Sequence, residues 1–195
     1  MRRTILGTLT LAATLSATTM FAQTTPTTTP PPSKPGLTLT TSAFEDGGIV
    51  PDKYTAEAKA PQVSPQLSWS HVPEGTVSFV LILQDPDVAI DRTTAQVLHW
   101  LMFNIPGTAT GLPEGVPKQS QFPDGSIQAP NKRKEPAYLG PGAGSAGPYH
   151  HYIFELLALD IKLSLGPDAT LAEVLNAAQG HILGKGVLVG RFHRH

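Results

Sequence analysis

The chain has 195 residues, a formal net charge of −1 and 15% charged residues, which excludes the basic footprint of a nucleic-acid binder or of a protein held on an acidic membrane by charge. At 40% hydrophobic it holds enough apolar side chain for a packed core and too much for a disordered chain. With no cysteine, disulfides, zinc–thiolate sites, a catalytic thiol and a lipid-bearing cysteine are all excluded.

In chain order, Arg2 and Arg3 precede a mostly apolar stretch over 5–15 that is broken by Gly7 and by threonines. This pattern predicts a signal peptide over 1–22, cut after Ala22, and hence an exported protein of the periplasm or the exterior. The run falls short of the roughly 20 apolar residues a membrane helix needs, so no stable span is expected once the signal is removed. Residues 23–36, QTTPTTTPPPSKPG, cannot bury apolar surface and read as an extended linker. One domain is expected over 37–195, with no internal repeat.

Across the whole chain, 18 glycines and 19 prolines favour strands and turns over a helical bundle. Residues 37–41 alternate as an edge strand does. Residues 77–83 (VSFVLIL), 97–105 (VLHWLMFNI) and 152–159 (YIFELLAL) are nearly continuous apolar runs, expected of strands covered on both faces. A short last strand is predicted at 187–189, bracketed by Gly186 and Gly190. One helix is announced by Thr170-Leu171-Ala172-Glu173, which has the form of a capping box. Leu171, Val174, Leu175 and Ala178 then share a face, and Gly180 offers a left-handed stop. Residues 107–146 read as a long loop, a feature that is usually functional or hides small elements. The fold class is mainly β: an antiparallel sheet core with a short C-terminal helix.

Three places could carry chemistry. Asp85-Pro86-Asp87 follows the strand over 77–83 and would put a carboxylate at a strand mouth, although aspartate and proline also make ordinary turns. His99 lies within an apolar run; alternation groups it with Leu101 and Phe103, opposite Trp100 and Met102. It is a pocket histidine or a paired core one. The glycine-rich segment 140–148 leads into Tyr149-His150-His151-Tyr152, and alternation puts His150 and Tyr152 on one face with His151 on the other. Its backbone could form an anion nest, but it has no GK[ST] and precedes a strand, unlike a phosphate loop. Lys132-Arg133-Lys134 reads as a solvated loop, Trp69 and Trp100 as core or cavity wall, and an Arg191-containing tail as a lid over the cavity.

Together these segments resemble the phosphatidylethanolamine-binding proteins, in particular their bacterial Raf kinase inhibitor-like branch. The resemblance runs from Leu37 to Arg194 through DGGIVPDKYT (46–55), SPQLSW (64–69), VPEGTVSFVLILQDPD (72–87), LHWLMFNIP (98–106), GPYHHYIFELLALD (147–160) and GHILGKGVLVGRFHR (180–194). It implies a cavity for phosphate, acetate or a phospholipid headgroup lined by Asp85, Pro86, His99, Gly140, His150 and Tyr152. The family's D-P-D-A-P reads Asp85-Pro86-Asp87-Val88-Ala89 here, its H-R-Y reads His150-His151-Tyr152, and its Y-T-C reads Tyr54-Thr55-Ala56.

The function expected is to bind a small anionic molecule or phospholipid headgroup without catalysis, with no cofactor and no metal. Imidazole N–H groups would meet the anion, with Asp85 fixing their tautomers. One alternative is a hydrolase or metal-dependent enzyme using Asp85, His99 and His150, although no nucleophile motif, HExxH or paired carboxylate is present. Another is a modulator of a protein partner; a homodimer also stays open.

Overall fold

The structure is a computed structural model that describes residues 35–89 and 92–195. The signal peptide expected over 1–22 and almost all of the linker lie outside these residues.

Among the described residues nine strands and one α-helix follow in order, with a single 3-10 turn at Asp52–Tyr54: β1 (Thr38–Thr40), β2 (Gly48–Ile49), β3 (Leu67–Ser70), β4 (Ser78–Asp85), β5 (Val97–Pro106), β6 (Gly111–Leu112), β7 (Ile127–Ala129), β8 (His150–Leu159), α1 (Leu171–Ala178) and β9 (Ile182–Phe192). The fold is mainly β, as the sequence predicts. A six-stranded sheet has the order β2-β9-β8-β4-β5-β7, and a smaller sheet has the order β1-β3-β6. Every pairing is antiparallel except β2 with β9.

The apolar runs become β4, β5 and β8 because both faces of the large sheet are covered. On one face Phe79, Leu81, Leu83, Trp100, Met102, Phe154 and Leu156 meet Leu39, Leu67 and Trp69 of the small sheet. On the other, Val80, Ile82, Leu101, Phe103 and Leu157 lie under Val174 and Ala178 of α1. The helix starts as its sequence announces: Thr170 Oγ1 accepts from the Glu173 amide, and the Glu173 carboxylate accepts from the Thr170 amide. Gly180 takes a φ of +81° just beyond its end. Leu175, expected on the inner face with the other three, stays 38% exposed at its margin.

Two expectations change. The last strand spans eleven residues rather than 187–189. Its glycines look like breakers, yet they are sites of close approach: a Cβ at Gly190 would lie 2.4 Å from Val50 Cγ2, and one at Gly186 would lie 2.9 Å from the Leu37 carbonyl oxygen. The loop over 107–146 also carries β6 and β7, elements too short to show a period.

Candidate functional site

The ends of β4, β5 and β8 meet at one rim of the large sheet, and the site is built from what each strand presents there. Asp85 is the last residue of β4 and continues the inward alternation of Phe79, Leu81 and Leu83. His150 opens β8, and Tyr152 follows it two residues on, so both face the same way. His99 reaches that face by a different route. Leu83 pairs with Trp100 while Gln84 pairs with Leu98, which leaves His99 as the extra residue of a β-bulge. Leu98, Leu101 and Phe103 therefore pack on the helix side. The His99 ring instead stands edge-on to Tyr152, with centroids 5.2 Å apart. The grouping of His99 with Leu101 and Phe103 is thus overturned, because one inserted residue shifts the alternation by one.

The side chains form a connected set. His150 Nδ1 lies 2.8 Å from Asp85 Oδ2, and Asp85 Oδ1 accepts the Asp87 amide at 2.9 Å. Asp85 is 2% exposed, so both of its oxygens are committed inside the wall. His99 Nδ1 donates to the Leu139 carbonyl at 2.8 Å. That fixes its tautomer and leaves Nε2, an acceptor while the ring is neutral and a donor once it is protonated. Burial pushes His99 below the usual imidazole range against the pull of the Leu139 carbonyl and the Asp85 carboxylate; Lys132 and Arg133 push the same way as burial. Tyr152 is pushed up to about 12, first by burial, although the amides of Gly142 and Ala143 that donate to its oxygen oppose the shift. Its phenol therefore stays protonated at any ordinary pH. His151 turns outward as expected, and its amide donates to Asp87 Oδ2 at 2.6 Å. Although burial raises the Asp87 carboxyl, the hydrogen bonds from His151 hold it below the usual carboxylate range.

Asp85, His99, Gly140, His150 and Tyr152 line one cavity of about 220 Å³. Pro86 is exposed and not on its wall; Val88 stands there instead. Gly140 is placed as expected but its amide is already committed, donating to Gln62 Oε1 at 2.7 Å. The Gly142 and Ala143 amides are likewise taken by the Tyr152 hydroxyl, at 3.1 Å each. The glycine segment thus shapes the wall and anchors Tyr152 rather than turning those N–H groups to a ligand. A Cβ on Gly140 would sit 2.4 Å from the Tyr54 carbonyl oxygen, which explains the glycine there by contact alone.

Three cationic residues on the wall escaped sequence reasoning: Lys132, Arg133 and Arg194. The basic run 132–134 is exposed, as a solvated loop is, and its Lys132 and Arg133 also stand on the cavity wall. Arg191, the tail residue considered as a lid, instead donates Nε to the Gly47 carbonyl. Arg194 takes the rim position, with its amide donating to the Ala143 carbonyl at 3.0 Å and Nε 3.3 Å from Glu57 Oε1. The available signal was its place two residues beyond Phe192, the partner of His150 in the β8–β9 ladder. Trp69 and Trp100 are both core. Their indole N–H groups donate to the Ala109 carbonyl and to Gln128 Oε1. Among the described residues no three histidine or carboxylate side chains converge as metal ligands would, and no helix is long and apolar enough to cross a membrane.

A sandwich of this topology, with its polar cavity at one rim of the larger sheet, has known counterparts. The family model of the phosphatidylethanolamine-binding proteins matches residues 40–193. A UPF0098 protein of Methanothermobacter thermautotrophicus is 42% identical over 158 residues, spanning 81% of this chain and 99% of that protein. A Mycobacterium tuberculosis protein, the candidate lipoprotein LppC, is 32% identical across 85% of this chain and 76% of its own. Among solved structures, a phosphatidylethanolamine-binding protein homolog of Chlamydia trachomatis superposes with a TM-score of 0.71 at 32% identity, over 82% of this chain and 99% of that one. Escherichia coli YbcL gives the same TM-score at 25% identity, over 83% and 100%. The chain belongs to the phosphatidylethanolamine-binding protein family.

Proposed function

We propose that the protein binds a small anion, a phosphate or carboxylate group either free or as part of a phospholipid headgroup, in the cavity of His99 and His150 and holds it without transforming it. The observation that carries this reading is the His150–Asp85 pair set beside His99 in one small cavity walled by Lys132, Arg133 and Arg194. Asp85 Oδ2 lies 2.8 Å from His150 Nδ1 and orients the ring, so Nε2 is the ring atom left for a ligand. An anion in turn favours a protonated His99 and converts its Nε2 from acceptor to donor. The family name and the family fold support ligand binding of this kind. Export to the cell envelope is supported by the N-terminal residue pattern and by the lipoprotein name of the mycobacterial relative.

Isothermal titration with inorganic phosphate tests the site. His150→Gln is expected to weaken binding about tenfold or more, the worth of one charge-assisted hydrogen bond, with an unchanged far-ultraviolet spectrum. Affinity for acetate, which stays ionised across the window, should rise from pH 7 to pH 5.5, because the bound anion favours the protonated His99 ring that burial disfavours. Phosphate titrations identical in wild type and His150→Gln, or a cavity indifferent to phosphate and acetate alike, would remove the proposal. Sedimentation with phosphatidylethanolamine vesicles separates a headgroup ligand from a free one.

A further inference from the structure

A second cavity of about 390 Å³ adjoins the first. Val88, Val97 and Lys132 line both, so one wall is common to the two hollows. At about 220 Å³ the histidine cavity alone lies below the roughly 300–1,000 Å³ of sites that enclose a whole small molecule. Taken with its neighbour it falls inside that range. The second cavity is lined by apolar Val97, Leu98 and Leu171 and by two exposed lysines, Lys132 and Lys134.

Those lysines are held in place by a built loop. Asn131 is 4% exposed and organises it. Asn131 Oδ1 accepts the Arg133 amide at 2.8 Å, Nδ2 donates to the Ala137 carbonyl at 2.9 Å, and the Asn131 carbonyl accepts the Lys134 amide at 2.9 Å. The Lys132 amide donates to the Leu98 carbonyl, which fastens the loop to β5 beside the bulge. Lys134 itself has a φ of +62°, a left-handed conformation that strains a non-glycine residue. Among the described residues, none of Lys132, Arg133 and Lys134 is ion-paired with a carboxylate.

We infer that the ligand carries two anionic groups joined by a short spacer: one seated at His99 and His150, the spacer crossing Val97, and the other met by Lys132 and Lys134. This rests on the anion reading of the first cavity and adds the substrate class.

Methyl phosphate, which has one anionic group, and propane-1,3-diyl bisphosphate, which has two, are titrated calorimetrically into the full chain. The bisphosphate should bind about tenfold tighter or more, a difference of about 1.4 kcal/mol. Lys134→Gln should bring the two affinities together by weakening the bisphosphate alone. Lys134→Gly should do the same while the thermal midpoint holds or rises, since glycine relieves the backbone strain; that separates a lost contact from a damaged fold. Equal affinities in the wild type, or a ratio untouched by both substitutions, overturn the two-anion ligand while leaving the first site standing. Failure of methyl phosphate to bind at all would instead overturn the anion reading itself. Vesicles of phosphatidylinositol 4-phosphate in phosphatidylcholine offer the same pair of groups on a lipid. If the wild type sediments with them the source is a headgroup, and if it binds only the free bisphosphate the source is a soluble molecule; both results support the inference.

Discussion

The two faces of the six-stranded sheet are both closed to water, but by different means and with different consequences. On the helix side, Val80, Ile82, Leu101, Phe103 and Leu157 meet Val174 and Ala178 in a patch that is hydrocarbon throughout. On the sandwich side, the same strands carry Phe79, Leu81, Trp100 and Phe154 against the small sheet, and then run on past it at one rim, where Asp85, His99, His150 and Tyr152 stand. A sheet packed face to face on another has ends that the partner sheet does not reach, and the side chains of the histidine cavity stand at such an end. Polar chemistry therefore collects at the rim of the sandwich. The bulge at His99 is the device that moves a third titratable group from the closed face to the open one.

Substitutions of decreasing effect test that contrast. Trp100→Ala empties a fully buried indole on the sandwich face and strands the Gln128 oxygen that accepts its N–H. It should cost about 3–5 kcal/mol in urea unfolding. Val174→Ala on the helix side removes two buried methyl-sized groups and should cost about 2 kcal/mol. A reversed ranking would mean that the helix, and not the small sheet, carries the main core. Glu173→Ala breaks half of the capping box and should cost about 0.5–1 kcal/mol in thermal unfolding, with phosphate affinity unaltered.

The pH dependence sharpens the comparison from the other side, because only the sandwich face holds a buried titratable ring. Burial lowers the His99 pKa in the folded state, so the folded protein favours the neutral ring. Stability from this source is intact above the ordinary histidine range near 6.5 and falls as pH drops below it, where the unfolded chain takes up the proton first. Wild type should therefore unfold at lower urea at pH 5.5 than at pH 7.5, and His99→Gln should show a smaller difference between the two. Added phosphate should offset the loss in wild type, since it favours the protonated ring. An unchanged pH response in His99→Gln would place the titrating group elsewhere.

Much of this architecture was readable along the chain. The strands β4, β5 and β8 announce themselves as unbroken apolar runs, and α1 by its cap and its spacing, because both signals are local. His150 and Tyr152 share a face, as expected, for the same reason: alternation holds wherever pairing is regular. The misreadings all lie where a distant contact decides. Gly186 and Gly190 read as breakers until Leu37 and Val50 are seen pressed against them. Pro86 shares a motif with Asp85 yet points to solvent, since the turn after β4 leaves the wall at once.

Residue order alone settled that this chain would be mainly β, built around three buried strands, with a capped helix near its end, a carboxylate at one strand mouth, one histidine within an apolar run and another at a strand start. Period, capping and turn chemistry act over a few residues and need no partner. Only the folded chain decided that His99 turns toward Tyr152, that the glycine amides are consumed by Gln62 and Tyr152, and that Lys132, Arg133 and Arg194 wall the cavity. Each of these follows from a bulge, a hydrogen bond or a close approach between segments tens of residues apart, and no pattern within one segment records which distant neighbour it will meet.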